Sequence, residues 1–154
     1  MKNFIKYYVI WIFLGLVSCN SLRDDVPGIS HIFYVENQLD SDIKLVCDFQ
    51  EVEPNFSDEP SELKEIEKII SSGEIFFIGR VWKNDYSDSE PFIRLEQNEF
   101  ENAFIELRVY RIGSDGSEIN ISSNYNSSEL DSWLSADRIS SLGVNVVDYT
   151  LKID

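Results

Sequence analysis

Alternation of apolar with mainly polar residues is the feature of this sequence that most limits its fold. Residues 43–50 place Ile, Leu, Cys and Phe at every second position, with Lys, Val, Asp and Gln between them. Residues 147–153 repeat the pattern with Val, Tyr, Leu and Ile. A period of two puts one set of side chains on a single face of a β-strand, so both stretches are predicted to be strands with one face in a core.

Five further runs, rich in β-branched and aromatic residues, bring the predicted strands to seven. They are residues 31–35, 75–82, 92–95, 105–110 and 119–121. The last two flank a loop with Gly113 and Gly116, which indicates a β-hairpin. Strands separated by polar loops predict an all-β fold, a small immunoglobulin-like antiparallel β-sandwich with at most one or two short helices.

Two segments leave helix and strand open. Residues 62–70 carry apolar side chains at helical spacing, but the same run would equally make a strand leading into a turn at Ser72-Gly73. Residues 128–134 could form a single helical turn capped by Ser127 or Ser128.

Length, charge and metal-ligand content limit the domain count and the partners. A chain of 154 residues, 43% of them hydrophobic, has material for one domain, predicted over residues 30–154. Thirteen basic against 28 acidic residues give a net charge of −15, which disfavours nucleic acid as a partner. Two Cys and one His are too few for a zinc site, and no other metal or cofactor is expected.

The first eighteen residues have the pattern of a secretory signal peptide. Lys2 and Lys6 precede an uncharged apolar run over residues 7–17, which is short for a membrane span of about 20 residues. Residues 19–29 follow as a polar stretch with a Pro-Gly break, predicted to be a flexible tether. Without residues 1–18 the charge is 11 − 28 = −17, so the polypeptide itself should not adhere to anionic lipid.

Leu16-Val17-Ser18-Cys19 resembles the lipobox of bacterial lipoproteins. The resemblance implies that Cys19 carries acyl chains such as palmitate, becomes the first residue of the mature chain and makes the membrane a partner through its lipid. Arg23, Asp24 and Asp25 are similar to the export tag that follows the lipidated Cys in surface lipoproteins of the Bacteroidota. An ordinary solvated linker is the alternative for these three residues.

Over most of the chain, the order of features resembles that of small Bacteroidota lipoproteins with β-sandwich domains, most of which have no assigned function. That resemblance implies an outer-membrane location, lipid-anchored and facing the cell exterior, with the periplasmic side as the alternative. It brings no catalytic residue. The residues that carry it, besides the lipobox, are Tyr34 to Asn37, Ser72 to Glu74, Leu107 to Tyr110, Trp133 and Tyr149 to Asp154.

Candidate catalytic and metal-binding residues are few. His31, the only histidine, lies at the start of a strand without a nucleophile motif nearby and is expected to be a solvated or strand-edge residue. Cys47, in line with Leu45 and Phe49, is expected to be a small buried hydrophobe. Residues 85–96 resemble an EF-hand loop in their oxygen ligands, but Glu90 replaces the required Gly, so a solvated acidic loop is favoured.

Aromatic residues near loops are the only candidates for a ligand platform. Trp133 and Tyr125 lie in a Ser- and Asn-rich setting and could stack on a sugar ring, whereas Trp82 is expected in the core. The sequence therefore favours a noncatalytic, lipid-anchored envelope module that binds a carbohydrate or protein ligand. The alternative is an envelope inhibitor or immunity protein that neutralises a basic toxin or lytic enzyme, steered by the acidic charge. A hydrolase with paired carboxylates ranks last.

Overall fold

A computed structural model describes residues 28–51, 62–84 and 91–154 of the chain. Within these residues there are eight strands, one short helix and two 3-10 turns, at Ser122–Asn124 and Leu130–Ser132. The strands and the helix are β1 Ile29–Asn37, β2 Ile43–Glu51, β3 Glu62–Ile70, β4 Ile75–Lys83, α1 Gln97–Ala103, β5 Phe104–Ile112, β6 Glu118–Asn120, β7 Leu134–Ile139 and β8 Asn145–Ile153.

The strands form two four-stranded sheets that pack as a sandwich. Sheet I has the order β4-β1-β8-β7, and sheet II has the order β3-β2-β5-β6. The predicted all-β sandwich is confirmed. Its connectivity differs from the immunoglobulin one, in which the first two strands share a sheet, because here β1 and β2 lie in opposite sheets.

One pair of neighbouring strands corrects the expectation of a wholly antiparallel sandwich. β1 and β8 run parallel in continuous register from Ile29 opposite Asn145 to Asn37 opposite Ile153. These strands are the first and the last of the described strands, so no tight turn has to join them. A parallel pair needs a long connection, and here the rest of the domain supplies it.

Three local assignments are settled or corrected by the structure. Residues 62–70, left open between helix and strand, form β3. The predicted strand at 92–95 is wrong: this segment lies outside both sheets, and Leu95 is buried there with its amide donating to the Tyr149 hydroxyl at 3.1 Å. β7 was not predicted, because all six of its residues are exposed and no apolar alternation marks them.

Alternating side chains of β1, β2 and β8 fill the space between the sheets, as their sequence pattern predicts. At the centre, the Phe33 ring stacks on Tyr149 with ring centroids 5.1 Å apart and meets Phe104 edge-on at 5.0 Å. Aromatic pairs in such geometry contribute about 0.5–1.5 kcal/mol each beyond the area that they bury. This aromatic cluster comprises Phe33, Phe49, Phe100, Phe104, Trp133 and Tyr149.

Gly79 of sheet I allows the Phe49 ring of sheet II to pack closely against the backbone of β4. A register shift between Phe33 and Tyr34 marks a bulge in β4 beside Gly79. A Cβ atom at position 79 would overlap the Phe49 ring. The glycine is therefore required here for space rather than for an unusual backbone angle.

Candidate functional site

The outer face of sheet II carries a row of three carboxylates. The inward residues of β2 are buried, so its even-numbered residues face outward. In register, Asp48 lies opposite Glu65 of β3 on one side and Glu106 of β5 on the other. Directly opposite side chains on one face of a sheet have Cβ atoms about 4.5–5.5 Å apart, and like charges in that position are destabilising.

Neighbouring rows neutralise some of this charge. Lys44 forms ion pairs with Glu67 at 2.9 Å and Glu118 at 3.1 Å, and hydrogen bonds to both carboxylates raise the pKa of Lys44. Arg108 pairs with Glu106 at 3.0 Å, and the charge of Glu106 raises the pKa of the guanidinium. Asp48 and Glu65, by contrast, form no ion pair within the described part of the chain.

We call this surface the acidic face and define it by the outward charged residues of sheet II. They are five carboxylates and two cations, a net charge of 2 − 5 = −3: Asp48, Glu65, Glu67, Glu106, Glu118, Lys44 and Arg108. The outward charged residues of sheet I are three cations and two carboxylates, a net charge of 3 − 2 = +1: Arg80, Arg138, Lys152, Glu36 and Asp148. The negative charge is therefore unevenly distributed between the two outer surfaces.

Apolar side chains lie within the acidic face. Val46, half-buried, sits between Glu67 and Arg108 in register. Leu63 and Ile69 of β3 are 51% and 55% exposed, and both face outward, opposite Gln50 and Lys44. Exposed apolar groups surrounded by charge are typical of surfaces that contact other proteins.

His31 lies in the core, which corrects the expectation of a solvated or strand-edge residue. β1 is a central strand, and the His31 side chain points inward, fully buried. Burial, reinforced by the positive charge of Lys83, lowers the pKa of His31 to about 4. Neither ring nitrogen has a hydrogen-bond partner among the described residues. A buried neutral imidazole of this kind has no access to a substrate in solution.

Cys47 is a buried core residue, as predicted from its alignment with Leu45 and Phe49. Burial raises the pKa of its thiol to about 12. The reactive form of cysteine is the thiolate, so this residue is not a nucleophile at neutral pH.

The aromatic candidates do not form a ligand platform. Trp133 is only 4% exposed and packs against Phe33, Phe100 and Phe104, while its indole N–H donates to the Ser127 carbonyl at 3.1 Å. The prediction that Trp133 offers a ring face to a sugar is therefore corrected to a core role.

Tyr125 is half-buried, and its hydroxyl donates to the backbone carbonyl of Asp154 at 2.7 Å. Desolvation is the main cause of its raised pKa. This tyrosine holds the carboxyl end of β8 in place. Trp82 is buried, as expected.

The remaining sequence candidates lie largely outside the described residues. Cys19, Arg23, Asp24 and Asp25 precede residue 28, and residues 85–90 of the acidic loop are likewise not described. Glu96, the last ligand of the rejected calcium loop, caps α1 instead. Its amide donates to the Glu99 carboxylate at 2.8 Å in a reciprocal capping box.

The described residues contain neither a metal-binding cluster nor a membrane-spanning helix. Within 28–51, 62–84 and 91–154, no group of three or more His, Cys, Asp or Glu side chains could hold a metal ion. No helix in those segments is long and apolar enough to cross a bilayer. Comparisons with protein-family models, with curated proteins and with solved structures found no match for the chain.

Proposed function

We propose that the protein is a noncatalytic, lipid-anchored binding module of the cell envelope whose acidic face recognises a basic protein surface. The observation that carries the proposal is the row formed by Glu65, Asp48 and Glu106. Two unit charges about 5 Å apart repel by on the order of 1 kcal/mol in water. Arg108 offsets the charge of Glu106, whereas Asp48 and Glu65 face each other without an ion pair among the described residues, and cationic side chains of a partner would relieve their repulsion.

The surrounding residues favour a protein over a small cation as the ligand. Val46, Leu63 and Ile69 supply apolar contact area beside the carboxylates. Protein interfaces combine such apolar patches with charged groups that steer the encounter and fix the orientation.

Anchoring and location in this proposal rest on the sequence. The lipobox ending at Cys19 supports attachment to the outer membrane by acyl chains, and Arg23, Asp24 and Asp25 support export to the cell exterior. A lipid-tethered chain of net charge −17 over residues 19–154 would present its acidic face to soluble or surface-bound cationic proteins.

The same acidic face favours one second function, inhibition of a basic toxin or lytic enzyme. An inhibitor of that kind would bind a single basic protein tightly and with strong salt dependence, because charge steering falls with ionic strength. A general binding module would instead bind several basic surfaces with similar, weaker affinities.

The test measures binding of a decalysine peptide to the full chain in detergent by titration calorimetry. Asp48→Asn with Glu65→Gln should weaken binding about fivefold at roughly 50 mM salt, because two unpaired carboxylates of the acidic face are removed. The control is Glu129→Gln with Asp131→Asn, which removes the same charge from an exposed segment outside sheet II and should change affinity less than twofold. Equal losses in both double variants would show that only net charge matters and would overturn the proposed site.

A further inference from the structure

The two sheets leave four edge strands, and three of them have features that discourage pairing with another chain. In β3, five of nine residues are charged. β4 contains the bulge beside Gly79, which twists the strand locally. β6 has only three residues. Charges, bulges and short length are the means by which proteins block unwanted edge pairing.

The fourth edge, β7, is less protected, because only two of its six residues are charged and their charges are opposite. It runs from Leu134 to Ile139 in continuous register with β8, without a bulge or a proline. All six of its residues are exposed, and Leu134 and Ile139 are 58% and 65% exposed. Its outer side therefore offers unpaired backbone groups to a further strand.

The charges on β7 are balanced within the molecule. Asp137 pairs with Arg94 at 2.7 Å, and the Arg138 guanidinium donates to Asp148, at 3.2 Å through its Nη2. The strand itself has one acidic and one basic residue, a net charge of zero in a chain of net charge −15. Two copies of such an acidic molecule would repel least if they met along this edge.

We propose that β7 pairs antiparallel with β7 of a second copy about a two-fold axis at Ala136. The sheet I of one copy and the sheet I of the other would then form one continuous eight-stranded sheet. This inference is independent of the acidic face. A two-fold interface brings the same surface of both copies together, and edge pairing keeps outward residues opposite outward residues.

Register selects Ala136 as the residue on the axis. Centring on Ala136 pairs five residues and puts Ser135 opposite Asp137 of the second copy, where a hydroxyl can donate to a carboxylate. It also places Leu134 opposite Arg138 of the second copy, whose aliphatic stem would cover the leucine.

The other registers that keep outward residues opposite outward residues are less favourable. Centring on Asp137 also pairs five residues but opposes two carboxylates, and centring on Ser135 or Arg138 pairs only three. The Ala136 register is therefore the longest one without opposed like charges. An interface of this size is small, so the dimer is expected to be weak.

Cysteine trapping on the full chain in detergent tests the pairing. Opposite residues of an antiparallel pair have Cα atoms about 4.5–5.5 Å apart, within the roughly 4.4–6.8 Å that a disulfide spans. Under mild oxidation Ala136→Cys should give at least fivefold more reducible dimer than the wild type. The wild-type sample shows how much dimer Cys19 and the buried Cys47 form by themselves.

Two matched controls locate the contact. Asp137→Cys lies one position off the axis, so its two copies would be too far apart to join, and Ile69→Cys is an exposed residue of the edge strand β3. Both should remain at background. No excess dimer for Ala136→Cys, equal cross-linking of all three variants, or stronger cross-linking of Asp137→Cys would each overturn the proposal.

Sedimentation provides a readout without oxidation. Ala136→Lys would place two ammonium groups opposite each other at the axis and should weaken self-association at least tenfold, whereas the uncharged strand former Ala136→Thr should leave it within about twofold of the wild type. Wild-type protein that sediments as a monomer at all accessible concentrations would contradict the pairing.

Discussion

The His31 side chain faces charged groups from several elements and hydrogen-bonds to none of the described residues. Lys83 comes from β4, Glu99 from α1 and Arg94 from the segment before the helix. The Tyr149 ring of β8 has its centroid 6.0 Å from the imidazole. Lys83 and Glu99 also form an ion pair at 2.8 Å, so their opposing effects on His31 partly cancel and desolvation dominates.

This environment predicts an acid-sensitive fold. The unfolded chain takes up a proton at His31 below the ordinary pKa of 6.5, while the folded protein resists protonation down to about pH 4. The contribution of neutral His31 to the free energy of unfolding is therefore fully present above pH 6.5. It is lost as the pH falls from 6.5 towards 4, and the loss is on the order of 3 kcal/mol.

Urea unfolding of wild type and His31→Leu between pH 4 and pH 7 measures this contribution. The free energy of unfolding should fall more steeply with decreasing pH in the wild type, since the variant lacks the group that titrates. The many carboxylates are common to both proteins, so the difference between the two curves isolates His31. Parallel curves would show that His31 does not titrate in this range.

At the scale of a single sheet, the acidic face predicts a gain in stability on removal of charge. Asp48→Asn and Glu65→Gln should each raise the free energy of unfolding by about 0.5 kcal/mol, because each removes a like-charge contact across neighbouring strands. Glu67→Gln is the matched control: it loses the ion pair with Lys44 and should not stabilise.

Salt provides the second measurement for this prediction. At about 1 M ionic strength the screening length falls to roughly 3 Å, so the advantage of the two neutral variants over wild type should shrink. An advantage that persists at high salt would point to side-chain packing or strand propensity instead of repulsion.

The strands that the sequence predicts well are those whose two faces meet different surroundings. β2 and β8 each have one face in the core, so their alternation is visible in the sequence. β3 carries its apolar residues on both faces, which explains why residues 62–70 fit helix and strand equally. β7 has no buried face at all, and nothing in its residues marks it as a strand.

Helix α1 and the acidic face depend on relationships that the sequence does not display. The helix is only seven residues long, and its cap is Glu96 in place of the preferred Ser, Thr, Asp or Asn. Asp48, Glu65 and Glu106 are far apart in sequence and meet only through the register of three strands. The polar sequence neighbours of Trp133 conceal that its ring enters the aromatic cluster.

At the scale of the whole molecule, the proposed lipid anchor limits how far the domain can lie from a membrane. Gly28 and Ile29 are buried, so the chain up to residue 27 is the length available to link the lipid to the sandwich. If Cys19 is the anchor, the linker is Asn20 to Pro27, eight residues that span at most about 28 Å. The folded domain must then lie close to the membrane surface on one side or the other.

We predict that Arg23-Asp24-Asp25 directs the domain to the outside. Protease added to intact cells should degrade the wild-type domain, whereas Asp24→Ala with Asp25→Ala should slow its degradation at least fivefold.

The matched control is Asp40→Ala with Asp42→Ala, which removes the same charge from exposed positions between β1 and β2 and should stay accessible. Neither double variant removes an apolar residue, so stability should shift by no more than about 0.5 kcal/mol and relocation can be assigned to sorting. If protease degrades all three proteins equally, Arg23-Asp24-Asp25 is only part of a linker and not an export signal. If all three proteins are equally protected, the domain lies on the periplasmic side.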